Sequence, residues 1–237
     1  TITYGGNCSS SDTSAIAGNN TVTFNTLSEG TYFNCKISVT DSAGNTSDNL
    51  SVSTFTIDTT APSLSQVTAV PTPSSDNTSS YTFSSDEAGT ITYGGSCSSS
   101  DNSSIDGNNT ITFNALSDDT YNDCTVTVTD SAGNASNALS VSAFTIDTTA
   151  PTLSEVTAVT TPDNDSTPSY TFNSNEAGTI TYGGNCSSST TAAAADNNTI
   201  TFNALSDETY SDCTITVRDN AGNTSSVLSV NSFTIDT

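Results

Sequence analysis

Six cysteines are the residues whose type and spacing first suggest chemistry. They stand at Cys8 and Cys35, Cys97 and Cys124, and Cys186 and Cys213, each pair 27 residues apart and offset from the previous pair by 89. A thiol nucleophile, as in "GGSCSS" around Cys97, needs a base beside the sulfur, normally histidine, and the chain has none. A metal site built on cysteine needs further ligands, and there is neither histidine nor a close cysteine pair to supply them. The spacing therefore predicts one disulfide per repeat, each stabilising its unit by about 3–4 kcal/mol on the chain-entropy estimate. Disulfides in every repeat imply an oxidising compartment, secreted or at the cell surface.

Other catalytic constellations are missing. Serine triads fail for want of histidine. No glycine-rich phosphate loop runs from a strand into a helix, because no helical periodicity is present. A carboxylate pair for glycoside cleavage would have to recur in every near-copy, which does not suit an enzyme. Tryptophan, the usual sugar platform, is absent. The expectation is a chain without catalysis.

The elements that carry these residues come from a repeat. "TITYGGNCSSS" opens the chain, returns as "TITYGGSCSSS" at Thr90 and again as "TITYGGNCSSS" at Thr179. Residues 1–59, 90–148 and 179–237 align without a gap, and 60–89 aligns with 149–178 in the same way. This divides the chain into a partial repeat, 1–59, without the first two strands, and two full repeats, 60–148 and 149–237. The expectation is a stretch cut from a longer array. Divergence concentrates in "DTSAIAG", "DNSSIDG" and "TTAAAAD", which read as a surface loop.

Within the second repeat, two-residue alternation marks strands in "LSQVTAV", "SSYTFSS", "TITYGG", "NTITFNAL", "YNDCTVTVTD" and "ALSVSAFTID". Ile91 and Tyr93 share one face, Ile111 and Phe113 point inward, and Cys124, Val126 and Val128 share one face with threonines on the other. In the last segment Leu139 and Val141 lead, then Phe144 and Ile146 take over, a slip that predicts a β-bulge near Ser142. Six or seven short strands in 89 residues, separated by turn signals, argue for an all-β antiparallel sandwich of immunoglobulin type, repeated in tandem as an elongated rod. The cysteine positions predict a bridge between neighbouring strands of one sheet. Tyr121, with Tyr32 and Tyr210 in register, reads either as a tyrosine corner or as an ordinary strand tyrosine.

Composition sets the partners. Two basic residues, Lys36 and Arg218, face 25 acidic ones for a net charge of -23. Such a surface repels nucleic acid and anionic membrane and favours cations. No apolar run approaches the roughly 20 residues needed to cross a bilayer, so no direct membrane insertion is expected. Asn-x-Ser/Thr triplets recur in register at Asn19, Asn108 and Asn197 and at Asn45, Asn134 and Asn223; chance explains many in so polar a chain.

"TIDTTAP" at the junctions, "TDSAGN" near the end of each unit and "SDEAGT" or "SNEAGT" near its start resemble the bacterial immunoglobulin-like repeats of large secreted adhesins and biofilm proteins. The resemblance covers the whole chain, although most such repeats lack the cysteines. It implies an extracellular rod that displays something else at its tip, and calcium bound at domain junctions. Placed on a sandwich topology, the candidate ligands gather at the pole where the chain enters each unit. For the second unit these are Asp58, Asp86, Glu87, Asp130 and Asn134; for the third, Asp147, Glu176, Asp219 and Asn223, with Asn175 beside them. Calcium takes six to eight oxygens from such groups. The alternative reading is that the same residues simply make turns.

The expected function is structural: the stalk or spacer of a bacterial surface adhesin or fibre, partnered by neighbouring repeats of its own chain. Two rivals stand beside it. One is a subunit of a self-assembling extracellular filament, with self-association into fibrils through exchanged strands. The other is an ancillary module of a secreted polysaccharide-degrading enzyme.

Overall fold

The computed structural model describes residues 1–237 and contains strands and turns but no helix. The first unit holds β1 (Ile2–Gly5), β2 (Gly30–Tyr32), β3 (Lys36–Val39), β4 (Leu50–Ser51) and β5 (Phe55–Ile57). The second holds β6 (Leu64–Thr68), β7 (Ser80–Ser85), β8 (Gly89–Gly94), β9 (Ser103–Ser104) and β10 (Gly107–Thr112), then β11 (Asp119–Tyr121), β12 (Thr125–Thr129), β13 (Leu139–Ser140) and β14 (Phe144–Ile146). The third repeats these as β15 (Leu153–Thr157), β16 (Ser169–Ser174), β17 (Gly178–Gly183), β18 (Ala192–Ala193) and β19 (Asp196–Thr201), then β20 (Thr209–Tyr210), β21 (Thr214–Arg218), β22 (Leu228–Ser229) and β23 (Phe233–Thr234).

Every pairing between these strands is antiparallel. In the second unit one sheet runs β10-β7-β6 and the other β13-β12-β8-β9, with β11 paired to β14. Alternation decides what each sheet buries. In β12, "TVTVT", Val126 and Val128 are fully buried while the threonines are half exposed. They meet Tyr81 and Phe83 of β7 and Ile111 of β10 in a single core cluster to which both sheets contribute. Tyr81, Phe113, Phe144 and Tyr121 stack in sequence through that core, with centroid separations of 6.3, 5.9 and 5.3 Å. Burying each large side chain of this kind stabilises the fold by about 1.5–3 kcal/mol. The third unit has an equivalent cluster of its own.

The first unit has no counterpart of β6, β7, β9 or β10, and its core is correspondingly thin. Only Cys8, Tyr32 and Cys35 form its buried cluster. Val39 is 38% exposed, whereas Val128 and Val217 at the same register position are fully buried.

The phase slip near Ser142 is real but is not a one-strand bulge. Val126 pairs with Leu139 and Thr125 with Ser140; four residues further along each strand, Tyr121 pairs with Phe144. No residue is inserted on either side, and Val141 N–H still donates to Cys124 O at 2.9 Å. Both strands change phase together at Asn122–Asp123 and Ser142–Ala143. There the Gln66 amide of β6 reaches across, accepting from Ser142 N and donating to its Oγ. The bulge lies in β6 instead. Its ladder to β7 steps from Gln66↔Phe83 to Thr68↔Thr82, leaving Val67 as the extra residue, 48% exposed. The divergent loop also carries a two-residue strand, β9 in the second unit and β18 in the third, at the edge of the sheet.

Candidate functional site at the junctions between units

The residues singled out for chemistry fall into two groups. All six cysteines are paired, Cys8–Cys35, Cys97–Cys124 and Cys186–Cys213, each with Cα atoms 5.3 Å apart and none left free. Cys97 follows β8 and Cys124 precedes β12, and these strands are hydrogen-bonded neighbours, so the bridge lies within one sheet. Both cysteines are buried and belong to the core cluster of the unit. Tyr121 Oη donates to Ser117 O at 3.0 Å, and Tyr32 and Tyr210 make the same bond four residues back, the geometry of a tyrosine corner.

The second group is built on the turn "TDSAGN". Asp130 Oδ1 accepts from the backbone N–H groups of Ala132, Gly133 and Asn134 at 2.8, 2.7 and 2.9 Å. Gly133 has a φ of 97°, which a side chain would strain. Asn134 Nδ2 then donates to Asp130 Oδ2 at 2.8 Å and to the main-chain oxygen of Asp58 at 3.2 Å. The third unit repeats this with Asp219, Gly222 and Asn223, whose Nδ2 lies 2.7 Å from Asp147 O. In the first unit the turn forms around Asp41 and Asn45 and is exposed.

This turn brings three carboxylates together. Asp58, Glu87 and Asp130 each place an oxygen within 4.8 Å of the others, and Asp147, Glu176 and Asp219 do the same at the next junction. Asp58 directly follows the last strand of one unit, Glu87 sits in the β7–β8 turn of the next, and Asp130 directly follows β12. Burial pushes the Glu87 carboxyl above its ordinary range, and the neighbouring charges of Asp58 and Asp130 push the same way. Glu176 is raised by burial and then by Asp147 and Asp219. Asp130 is held low, first by its bond from Asn134.

Two expected ligands play another part. Asp86 is outside the triangle: its Oδ1 accepts from Ser63 N at 2.6 Å, as Asn175 Oδ1 does from Thr152 N. Asn134 and Asn223 turn their amide nitrogens, not their oxygens, to the cluster, because the groups facing them are acceptors. They tie the linker to the following unit. The triplets at Asn134 and Asn223 are therefore engaged, whereas Asn108 and Asn197 lie on exposed strand positions.

Sequence reasoning missed a third set. Glu29 Oε2 accepts from Thr60 Oγ1 at 2.6 Å and Thr59 Oγ1 at 3.2 Å. Asp118 Oδ1 accepts from Thr148 N and Oγ1, and Asp118 Oδ2 from Thr149 Oγ1. Asp207 binds Thr237 in the same way. The available signal was an acid kept in register in "LSEG", "LSDD" and "LSDE", 30 residues before a "DT" step.

A free carboxylate triangle is oxygen-rich, hard and three times negative, the donor chemistry that suits calcium. Asp58 Oδ2 and the Glu87 carboxylate have no hydrogen-bond donor, whereas Asp58 Oδ1 is used by Thr60 N, Asp130 Oδ1 by the turn, and Asp130 Oδ2 accepts from Asn134 Nδ2. Calcium takes six to eight oxygens, so three carboxylates alone would leave part of its coordination shell to other groups or solvent.

These features define an all-β chain of repeated, disulfide-bridged antiparallel units with acidic junctions, and the disulfides suit an extracellular or cell-surface setting. No helix is long and apolar enough to cross a membrane. No family model matches the chain, and no curated protein matches it in sequence. Among solved structures, 94% of the chain aligns with Bacteroides ovatus SGBP-B of the mixed-linkage glucan utilization locus, in complex with a mixed-linkage heptasaccharide. The identity is 15% and the TM-score 0.23, and the chain spans 58% of that protein's length. A likeness at that score carries no argument about fold or function.

Proposed function

We propose that the chain is a non-catalytic extracellular spacer, immunoglobulin-like β-sandwich units in series forming a rod of the bacterial adhesin type. Calcium at each junction would offset two of the three carboxylate charges. The observation that carries this reading is the junction built twice to one plan, around Asp58, Glu87 and Asp130 and again around Asp147, Glu176 and Asp219. The interfaces join neighbouring units of one chain, which is what a spacer needs. An acidic, threonine-studded exterior keeps separate copies apart.

Two other readings stand beside it. One is a filament in which strands are exchanged between chains. The other is an ancillary glycan module of a secreted polysaccharide-degrading enzyme. Against that module, this chain's aromatic rings are mostly committed to its cores.

Small-angle X-ray scattering at several concentrations, with calcium and then with chelator, tests the proposal. A monomer of fixed elongated length is expected, with calcium binding seen by calorimetry at about two sites. Mass that grows with concentration would replace the spacer with the filament, and a glucan that shifts amide signals would favour the glycan module.

A further inference from the structure

The linker between the second and third units leaves almost nothing free to rotate. Asp147 N–H donates to Ser74 O of the preceding unit, and Asp147 O accepts from Asn223 of the following one. Thr148 bonds to Asp118 through both N–H and Oγ1, and Thr149 through Oγ1. Thr149 N–H donates to Asp147 Oδ1. Pro151 is buried, and Thr152 N–H is held by Asn175. Only Ala150 lacks such a restraint. The turn at Gly222 also stands against the preceding unit, since a Cβ added there would lie 3.7 Å from Ser75 Oγ.

We infer that a metal-independent clamp sets the angle between consecutive units: an acid at Asp118 grips the linker from the preceding unit and Asn223 from the following one. Glu29 with Thr59 and Thr60, and Asn134 with Asp58, make the same clamp at the first junction. The physical reason is that a hinge must change φ and ψ at several residues. Here each change breaks hydrogen bonds made to a folded unit. The Asp118 and Asn223 bonds act on opposite sides of the same short strap, so either unit can rotate only when its own grip is released. Calcium then acts on charge at a joint whose orientation already exists. This inference rests on the spacer reading for its purpose but is tested separately.

The test is 15N relaxation of the 237-residue chain in excess chelator, comparing rotational correlation times of the second and third units. In the wild type both units should report one common value. D118A combined with N223A should abolish it, each unit falling toward the value of a single repeat, while protected core amides show that both stay folded. D118N, which keeps one acceptor oxygen for Thr148, should retain common tumbling. Independent tumbling of the wild type in chelator would overturn the clamp, and so would unchanged tumbling of D118A/N223A. Growth of mass with concentration would instead sink the spacer reading and leave the clamp standing.

Discussion

The side-chain nitrogen of Asn223 lies 2.7 Å from the main-chain oxygen of Asp147, bonding the third unit to the strand end of the second. Asn134 makes the same bond to Asp58 at the first junction. An asparagine that sequence places among cation ligands thus works as a donor, joining two units through the backbone of the linker. The carboxylates beside it are what remain for a cation, and the predictions follow from that division of labour.

Removing charge from the triangle should weaken calcium binding without unfolding a unit. Glu87 makes no side-chain hydrogen bond, so E87Q deletes a charge and disturbs no turn. We expect roughly a tenfold or greater loss of calcium affinity at the first junction, equivalent to about 1.4 kcal/mol, with the second junction unchanged. Calorimetric titration of E87Q against E176Q checks this. Equal affinity in wild type and both variants would remove calcium from the carboxylate triangle.

The disulfide should contribute chiefly by restraining the unfolded chain. Replacing Cys97 and Cys124 together by alanine should lower the stability of the second unit by about 3–4 kcal/mol, with the third unit unaffected because its core is separate. Denaturant unfolding of C97A/C124A, followed by amide exchange in each unit, measures it. A loss shared by both full units would mean that they fold as one.

How much of this was legible in the sequence depends on range. Val126 and Val128 were readable because a strand repeats every two residues, and the cysteine pairs because their spacing recurs with the repeat. The approach of Asp58, Glu87 and Asp130 followed from placing turns at one pole. The direction of the Asn134 amide did not follow, because an amide offers both a donor and an acceptor and only its neighbours decide between them. Asp118 was missed because its partners lie 30 residues away and look like ordinary linker threonines. The slip at Ser142 looked like a bulge because one strand read alone cannot show that its partner slips too.

Residues in identical sequence positions should differ in energetic weight between units. V128A removes two methyl groups from a fully buried position against Tyr81 and Phe83 and should cost about 2–3 kcal/mol. V39A makes the same change where 38% of the side chain already meets solvent, and should cost under about 1 kcal/mol. Unit-resolved unfolding of the two variants gives the comparison. Equal costs would mean that the face of the first unit is covered in solution, as a filament contact would do.

Acidification should first tighten and then loosen the calcium-free junction. Glu87 and Glu176 have carboxyls raised above the usual 4.5, chiefly by burial. The folded chain therefore binds their protons more tightly than the unfolded one, and stability rises as pH falls from neutrality toward 4.5. Asp118, held below the usual 3.8 by Thr149 and then Thr148, has the opposite sign. Its contribution is present above 3.8 and is lost as pH falls through its lower folded value. Asp130, held low first by Asn134, follows Asp118. Common tumbling of the units in chelator should therefore be most resistant to denaturant near pH 4–5, and should fail on further acidification. The D118A chain should keep the rise, since Glu176 is intact, and lose part of the acid-side fall. A junction that only weakens as pH drops from 7 to 4.5 would show that repulsion within the carboxylate triangle is not what limits it.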